Sequence, residues 1–383
     1  MTEKLYYQDV NCMDFTATVL SCTQSGNRWA VILDRTAFYP EGGGQPWDTG
    51  LLGGCQVLEV QEKEEEIIHY LDGPLQTGIH TTGQVDRERR FDLMQQHSGE
   101  HIVSGLIHAA YGCDNVGFHM GTDVITIDFN TEITMESLRE IELQANMYIW
   151  EDRECHIWWP QTEELEQLPY RSKKELTGAV RLVEFPGADL CACCGTHVTS
   201  SGQIGLIRIL SCVGFRRGVR IEMLCGKRAL LHLFTMSDQN HAVSALTSAR
   251  PAQTAAAVQR LLDENGTLKQ QCAALENRLF TQQAEALRGA GNVTIFQDGL
   301  TPDSVRRLAA AIMETCGGRA AVFSGSDSTD YKYCIGHAGG DIRQLTREMN
   351  SALSGRGGGR PYFTQGSVQA SRNEIEAFFA DRS

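Results

Sequence analysis

Hydrophobic and polar positions alternate through residues 6 to 85 in short runs such as Ala30-Val31-Ile32-Leu33, Gln56-Val57-Leu58-Glu59-Val60 and Ile67-Ile68-His69-Tyr70, broken by Gly and Pro turns. A period near two in segments this short predicts a β-rich, barrel-like N-terminal subdomain. From Phe91 to Tyr111 the spacing changes: Leu93, His97, His101, Ile102, Leu106 and Ile107 recur as on one helix. The alternating strand Asp123-Val124-Ile125-Thr126-Ile127-Asp128-Phe129 follows, then an amphipathic helix from Met135 to Trp150. Strands are then expected at Val180 to Phe185, Ile204 to Leu210 and Val219 to Leu224. Residues 229 to 287 read as helical throughout, with Leu261, Leu268 and Leu275 a heptad apart and Cys272 and Leu279 in the alternate seam positions. A helical hairpin and a homodimeric coiled coil both fit that stripe. The rest reads β-α-β-β-α, then a glycine-rich loop from Ser354 to Gly359 and a last helix. The expected fold class is α+β, with a β-rich subdomain at 1–90, an α/β domain at 91–228, a helical linker at 229–290 and a small α/β domain at 291–383.

Composition narrows the class of protein. A chain of 383 residues, 42% hydrophobic and 21% charged, is too long for one ordinary core and too apolar for disorder. No stretch approaches the roughly 20 apolar residues of a membrane span, and the opening Met1-Thr2-Glu3-Lys4 leads into polar sequence. A cytoplasmic location is therefore expected. Thirteen cysteines, odd in number and scattered, do not make a secreted disulfide framework. A net charge of -14 speaks against indiscriminate nucleic-acid coating but leaves room for a local basic face. Arg208, Arg216, Arg217, Arg220, Lys227 and Arg228 supply one, with only Glu222 among them; Arg356 and Arg360 offer a second.

Candidate chemistry centres on two short motifs. In His97-Ser98-Gly99-Glu100-His101 the histidines are four apart on a helix, so both project from one face and can reach one ion. Alone, such a pair is often just packed or exposed. Downstream, Cys193-Cys194-Gly195-Thr196-His197 adds a thiolate and an imidazole, completing a Cys-His₃ set suited to tetrahedral Zn²⁺. Spacing leaves Cys193 and Cys194 both open as the sulfur ligand. Cys191 and Cys194 also have CxxC spacing, but no second CxxC exists to complete a zinc ribbon.

These motifs resemble the editing domain of alanyl-tRNA synthetases and the free-standing AlaX proteins. So do Arg35 to Gly50, with its Phe38-Tyr39-Pro40-Glu41-Gly42-Gly43-Gly44-Gln45-Pro46 core, and Gly117-Phe118-His119-Met120-Gly121. The similarity covers most of residues 1 to 230 in family order, and Gly357-Gly358-Gly359-Arg360-Pro361 extends it to the C-terminal domain. The resemblance implies one zinc per chain on His97, His101, Cys193 and His197. It also implies an alanine tRNA partner and hydrolysis of wrongly attached serine, with glycine as a second substrate. The chain lacks the length and ATP-handling motifs for aminoacylation, so editing without charging is expected.

Hydrolysis of that ester needs a base and a means of accepting serine over alanine. Glu100 is the candidate base. Thr36 and Gln45, flanking the glycine run, are candidate readers of the seryl hydroxyl; by resemblance Thr36 leads. Two rivals use the same residues. His97-x-x-Glu100-His101 fits the HxxEH pattern of inverted zinc metallopeptidases, and the donor set equally suits a non-catalytic, zinc-stabilised tRNA-binding module.

Overall fold

The N-terminal alternation folds into six antiparallel strands, Asp14–Ser25, Arg28–Leu33, Glu66–Leu71, Cys55–Lys63, Gly50–Leu52 and His80–Val85, closed on themselves in that order as a barrel. Val19, Val31, Leu33, Leu52, Val57 and Leu71 fill it, each at 0–1% exposure. This computed structural model describes residues 2–172 and 179–380, which fall into two units, Met1–Asn240 and His241–Ser383. Among the described residues, no helix is long and apolar enough to cross a membrane.

One polar group inside the barrel carries a pH dependence. His69 is fully buried, with Nδ1 3.2 Å from the Val31 carbonyl and Nε2 2.8 Å from Thr36 Oγ1. The Nδ1–H donates to the carbonyl, so Nε2 accepts from the Thr36 hydroxyl. Burial holds the imidazole down at about 4, below its usual 6.5. The folded state thus keeps His69 neutral while the unfolded chain protonates it. Stability is full above about pH 6.5 and drains as pH falls toward 4, by about 3 kcal/mol in all. Urea midpoints followed by tryptophan emission are expected to fall through that window, and His69→Gln to flatten the fall. All five tryptophans precede residue 240, so this signal reports the first unit alone.

After the barrel comes the helix Arg87–Tyr111, begun by Asp86, whose side chain accepts from the Arg89 amide, and ended by Gly112 at φ 59°. Such a start and stop are what Asp and a left-handed Gly provide. With Met135–Trp150 it covers one face of a four-stranded antiparallel sheet ordered Ile207–Phe215, Gly218–Cys225, Ile125–Phe129, Asn115–Met120. A three-stranded sheet, His156–Trp158, Leu182–Phe185 and Asp189–Ala192, completes this region. Two glycines let the first helix seat closely. A Cβ at Gly99 would stand 2.2 Å from Cys225 Sγ, and one at Gly105 2.1 Å from the Ala188 carbonyl.

The region expected to be helical forms two helices, Gly226–Thr247 and Thr254–Ala286, separated at Ser248, at φ 51°, and Pro251. Leu261, Leu268, Leu275 and Leu279 are 50–60% exposed, so the apolar stripe lies on the outer side of its helix. In the second unit a five-stranded sheet runs Gly291–Phe296, Gly317–Ser324, Tyr331–His337, Phe363–Val368, Arg356–Arg360, its first pair parallel. Here the expectation of a glycine-rich loop is corrected: residues 356–360 form the edge strand. Close approach explains its glycines. A Cβ at Gly357 would meet the Gln365 carbonyl at 2.3 Å and Tyr333 Oη at 2.5 Å, and one at Gly359 the Phe363 carbonyl at 2.4 Å.

Candidate metal centre

The helix Arg87–Tyr111 brings His97 and His101 to one face, with rings 5.3 Å apart, as their spacing requires. The segment after strand Asp189–Ala192 brings the other two groups: the His197 ring lies 4.5 Å from His97 and 4.7 Å from His101. Donor atoms of His97, His101, Cys193 and His197 all fall within 4.8 Å of one another. Cys193 Sγ is 3.4 Å from His97 Nε2, while Cys194 is exposed and outside the group.

Four residues, Arg181, Tyr7, Gln45 and Ser98, fix the segment that carries Cys193 and His197. Arg181 donates from one NH to the Cys193 and Gly195 carbonyls at 2.7 and 3.0 Å. Tyr7 donates its hydroxyl to the Cys194 carbonyl, the Thr196 amide donates to Gln45 Oε1, and the Val198 amide donates to Ser98 Oγ on the histidine helix. Gly195 has no alternative, because a Cβ there would sit 2.2 Å from His97 Cε1.

The glycine run delivers Gln45 to this centre. Gly42 and Gln45 close a tight turn through a reciprocal backbone pair, with Gly43 and Gly44 at φ 61° and 87°. Phe118, against which Gly44 lies, stacks on the His97 ring at 5.2 Å. Fully buried Gln45 then accepts from His97 Nδ1 at 2.9 Å and donates to Thr196 Oγ1. Asp189 does the same for His101: its Oδ2 takes the Nδ1–H at 2.9 Å while Oδ1 takes Arg171 Nε at 2.7 Å. Each partner fixes a tautomer with Nε2 free to ligate, the arrangement metal-binding histidines favour. Asp189 was not singled out in the sequence, and its only signal was a carboxylate shortly before the Cys-His motif.

Buried His197 differs, since neither ring nitrogen has a hydrogen-bond partner. Two orphaned nitrogens beside a thiol and two imidazoles fit a metal ion, which would satisfy one of them. Electrostatics agrees. Burial alone would raise the Cys193 thiol, but the imidazoles of His97, His197 and His101 hold it well below its usual range. Burial opposes charge on His101, yet Cys193 and Asp189 push it up to about 9; burial drives His197 down to about 3. The thiolate is the donor state that borderline divalent metals take, and binding would displace the proton that the raised His101 otherwise carries.

The other expected site residues lie elsewhere. Glu100 is 1% exposed, and its Oε1 accepts from Ser104 Oγ at 2.7 Å and Asn115 Nδ2 at 2.6 Å. Thr36, fully buried, gives its hydroxyl to His69 and accepts from the Phe38 amide. In the basic run, Arg208 pairs with Glu142, Arg220 grips Asp128 at 2.7 and 2.8 Å, and Lys227 meets Glu88. Arg216 and Arg217 stand exposed at the turn between strands Ile207–Phe215 and Gly218–Cys225. Arg360 is exposed on the edge strand, 3.1 Å from the Tyr362 hydroxyl.

Three family models match the chain: tRNA synthetases class II (A) over residues 2–89, the threonyl and alanyl tRNA synthetase second additional domain over 180–222, and the DHHA1 domain over 289–381. The alanine–tRNA ligase of Methanoculleus marisnigri is 32% identical across 97% of this chain and 42% of its own length. That of Methanoregula boonei is 30% identical across 95% and 41%. The chain thus spans about two fifths of these ligases. The alanyl-tRNA editing protein AlaX-L of Pyrococcus horikoshii is 27% identical across 98% of this chain and 96% of its own length. The solved C-Ala domain of Aquifex aeolicus alanyl-tRNA synthetase aligns over 22% of this chain and 83% of that chain, at 20% identity and a TM-score of 0.20, too slight a likeness to bear on the fold.

Proposed function

Because the chain belongs to the alanyl-tRNA editing family of long AlaX proteins, whose regions recur in alanyl-tRNA synthetases, we propose that it is a zinc-dependent hydrolase of Ser-tRNA(Ala), with Gly-tRNA(Ala) a second substrate. The observation that carries this reading is the His97, His101, Cys193 and His197 group, with orphaned His197 nitrogens at its centre. These four side chains would hold one zinc ion. Zinc held there would supply Lewis acidity for polarising an ester carbonyl or acidifying water. The protein's own share is orientation: Gln45 and Asp189 aim the two helical imidazoles, and Arg181 and Ser98 hold the segment bearing the other ligands.

The hydrogen bonds that buried Glu100 accepts from Ser104 and Asn115 support reading it as a brace of the histidine helix and count against an HxxEH peptidase that needs it as a free base. For tRNA, Arg216, Arg217 and Arg360 are exposed for phosphate, whereas Arg208, Arg220 and Lys227 would first have to leave carboxylates.

Zinc-loaded protein is expected to deacylate Ser-tRNA(Ala) while sparing Ala-tRNA(Ala); equal loss of both, or of neither, would sink the reading. Gln45 and Thr36 separate positioning from recognition. Gln45→Ala is expected to cost about 10–100-fold in zinc affinity or activity without altering the preference for serine over alanine. Thr36→Val, at the residue that the family resemblance names as reader of the seryl hydroxyl, is expected to erode that preference instead, the Thr36 hydroxyl turning from His69 to the substrate on binding. Competitive zinc titration and paired deacylation rates measure both.

A further inference from the structure

Tyr6, Tyr7, Cys155, Trp159, Arg181 and His197 line one cleft of about 260 Å³ in the first unit. Three of them carry buried polar atoms that bond to nothing: Tyr6 Oη, Arg181 Nε and both ring nitrogens of His197. A ligand ion accounts for His197 alone. Such groups are costly to bury, and their gathering in one cleft marks a place where a bound molecule supplies the missing acceptors. The rim is aromatic. Trp159 is 44% exposed, its ring 5.8 Å from that of Tyr7 and edge to face with it. Arg181 spans both rings, its guanidinium carbon 4.9 Å from the Tyr7 centroid and 5.8 Å from that of Trp159. The same guanidinium holds the Cys193 and Gly195 carbonyls, so this wall of the cleft is also the back of the metal-binding segment.

An occupant that suits this lining has a flat aromatic face for Trp159 and Tyr7 and lone pairs for Arg181 Nε and Tyr6 Oη. Heterocyclic bases have both. Resting on the deacylase reading, the substrate also fixes the distance: the amino acid is esterified to the terminal ribose, so the terminal base lies one sugar away from the reacting carbonyl. We propose that the cleft between Trp159, Tyr7 and Arg181 binds the 3′-terminal nucleobase of the tRNA, seating the ester beside His197.

The probe is the trinucleotide CCA, titrated calorimetrically into the zinc-loaded full chain beside the same trinucleotide with an abasic third position. CCA is expected to bind about tenfold more tightly, the worth of one stacked base. Trp159→Ala should erase that difference with zinc content unchanged, and Trp159→Phe should restore most of it. In deacylation, Trp159→Ala should raise KM by a similar factor. The proposal is overturned if the abasic probe binds as well as CCA, or if Trp159→Ala keeps the full difference. Failure of the deacylase reading looks different: wild-type protein would leave Ser-tRNA(Ala) intact, while the CCA titration would still decide what the cleft holds.

Discussion

His197→Ala is expected to abolish zinc binding and deacylation together while leaving the metal-free fold in place. The ring nitrogens of His197 make no hydrogen bond, so their removal strands no partner; if anything it relieves two buried, unsatisfied atoms. What is lost is a ligand to the ion that would supply the Lewis acid. Losing about 4 kcal/mol of transition-state stabilisation corresponds to roughly a 10³-fold fall in kcat/KM. Zinc should raise the thermal midpoint of the wild type, since it binds only the folded arrangement, and that increment should vanish in the variant. Metal analysis, thermal scans with and without zinc, and single-turnover deacylation provide the three readings. A variant that kept stoichiometric zinc and wild-type turnover would remove His197 from the centre. One that unfolded without zinc would reveal a structural role in place of a ligating one.

Arg90→Met is expected to produce the largest loss of stability, about 3–5 kcal/mol, because it leaves a buried carboxylate without its counter-charge. Arg90 and Asp48 are both wholly buried. The Arg90 Nε lies 3.1 and 3.0 Å from the two Asp48 oxygens, and its other nitrogens donate to the Val10 and Ala37 carbonyls. Asp48 in turn receives the Tyr39 amide at the start of the glycine run. This pair therefore joins the barrel to the first turn of the histidine helix, and its loss should also loosen Gln45 from His97. Replacing both members with apolar residues should recover much of the stability, since no charge then remains stranded. Urea unfolding followed by tryptophan emission measures the difference; a change under about 1 kcal/mol would show that water reaches Asp48 and replaces Arg90.

Sequence and structure agree most where a pattern is local. Alternation located the barrel strands, as in Arg28–Leu33 and Glu66–Leu71, because a strand with one buried face writes its period into the chain. The helix Met135–Trp150 appears at its expected limits, since Thr134 caps it and its apolar stripe is regular. The glycine-rich edge strand Arg356–Arg360 escaped because glycine writes no period. Its strand character comes from Phe363–Val368 lying alongside, which only the folded sheet supplies.

The metal centre divides along the same line. The i, i+4 spacing of His97 and His101 and the Cys193-x-x-x-His197 motif were legible, since ligand identity and helical spacing are properties of nearby residues. Three matters depended on how side chains pair in the folded chain. Cys193 rather than Cys194 turns inward, because Arg181 and Tyr7 hold the carbonyls of Cys193, Cys194 and Gly195. Gln45 reaches His97 across the turn made by the glycine run, and Asp189 reaches His101. Glu100, adjacent to a ligand in sequence, is drawn to Ser104 and Asn115 instead. Sequence alone determined which residues could bind a metal, because donor chemistry belongs to each side chain. Tertiary structure decided which of them face the centre and what orients them, because burial forces every polar atom to find its partner wherever the fold has placed one.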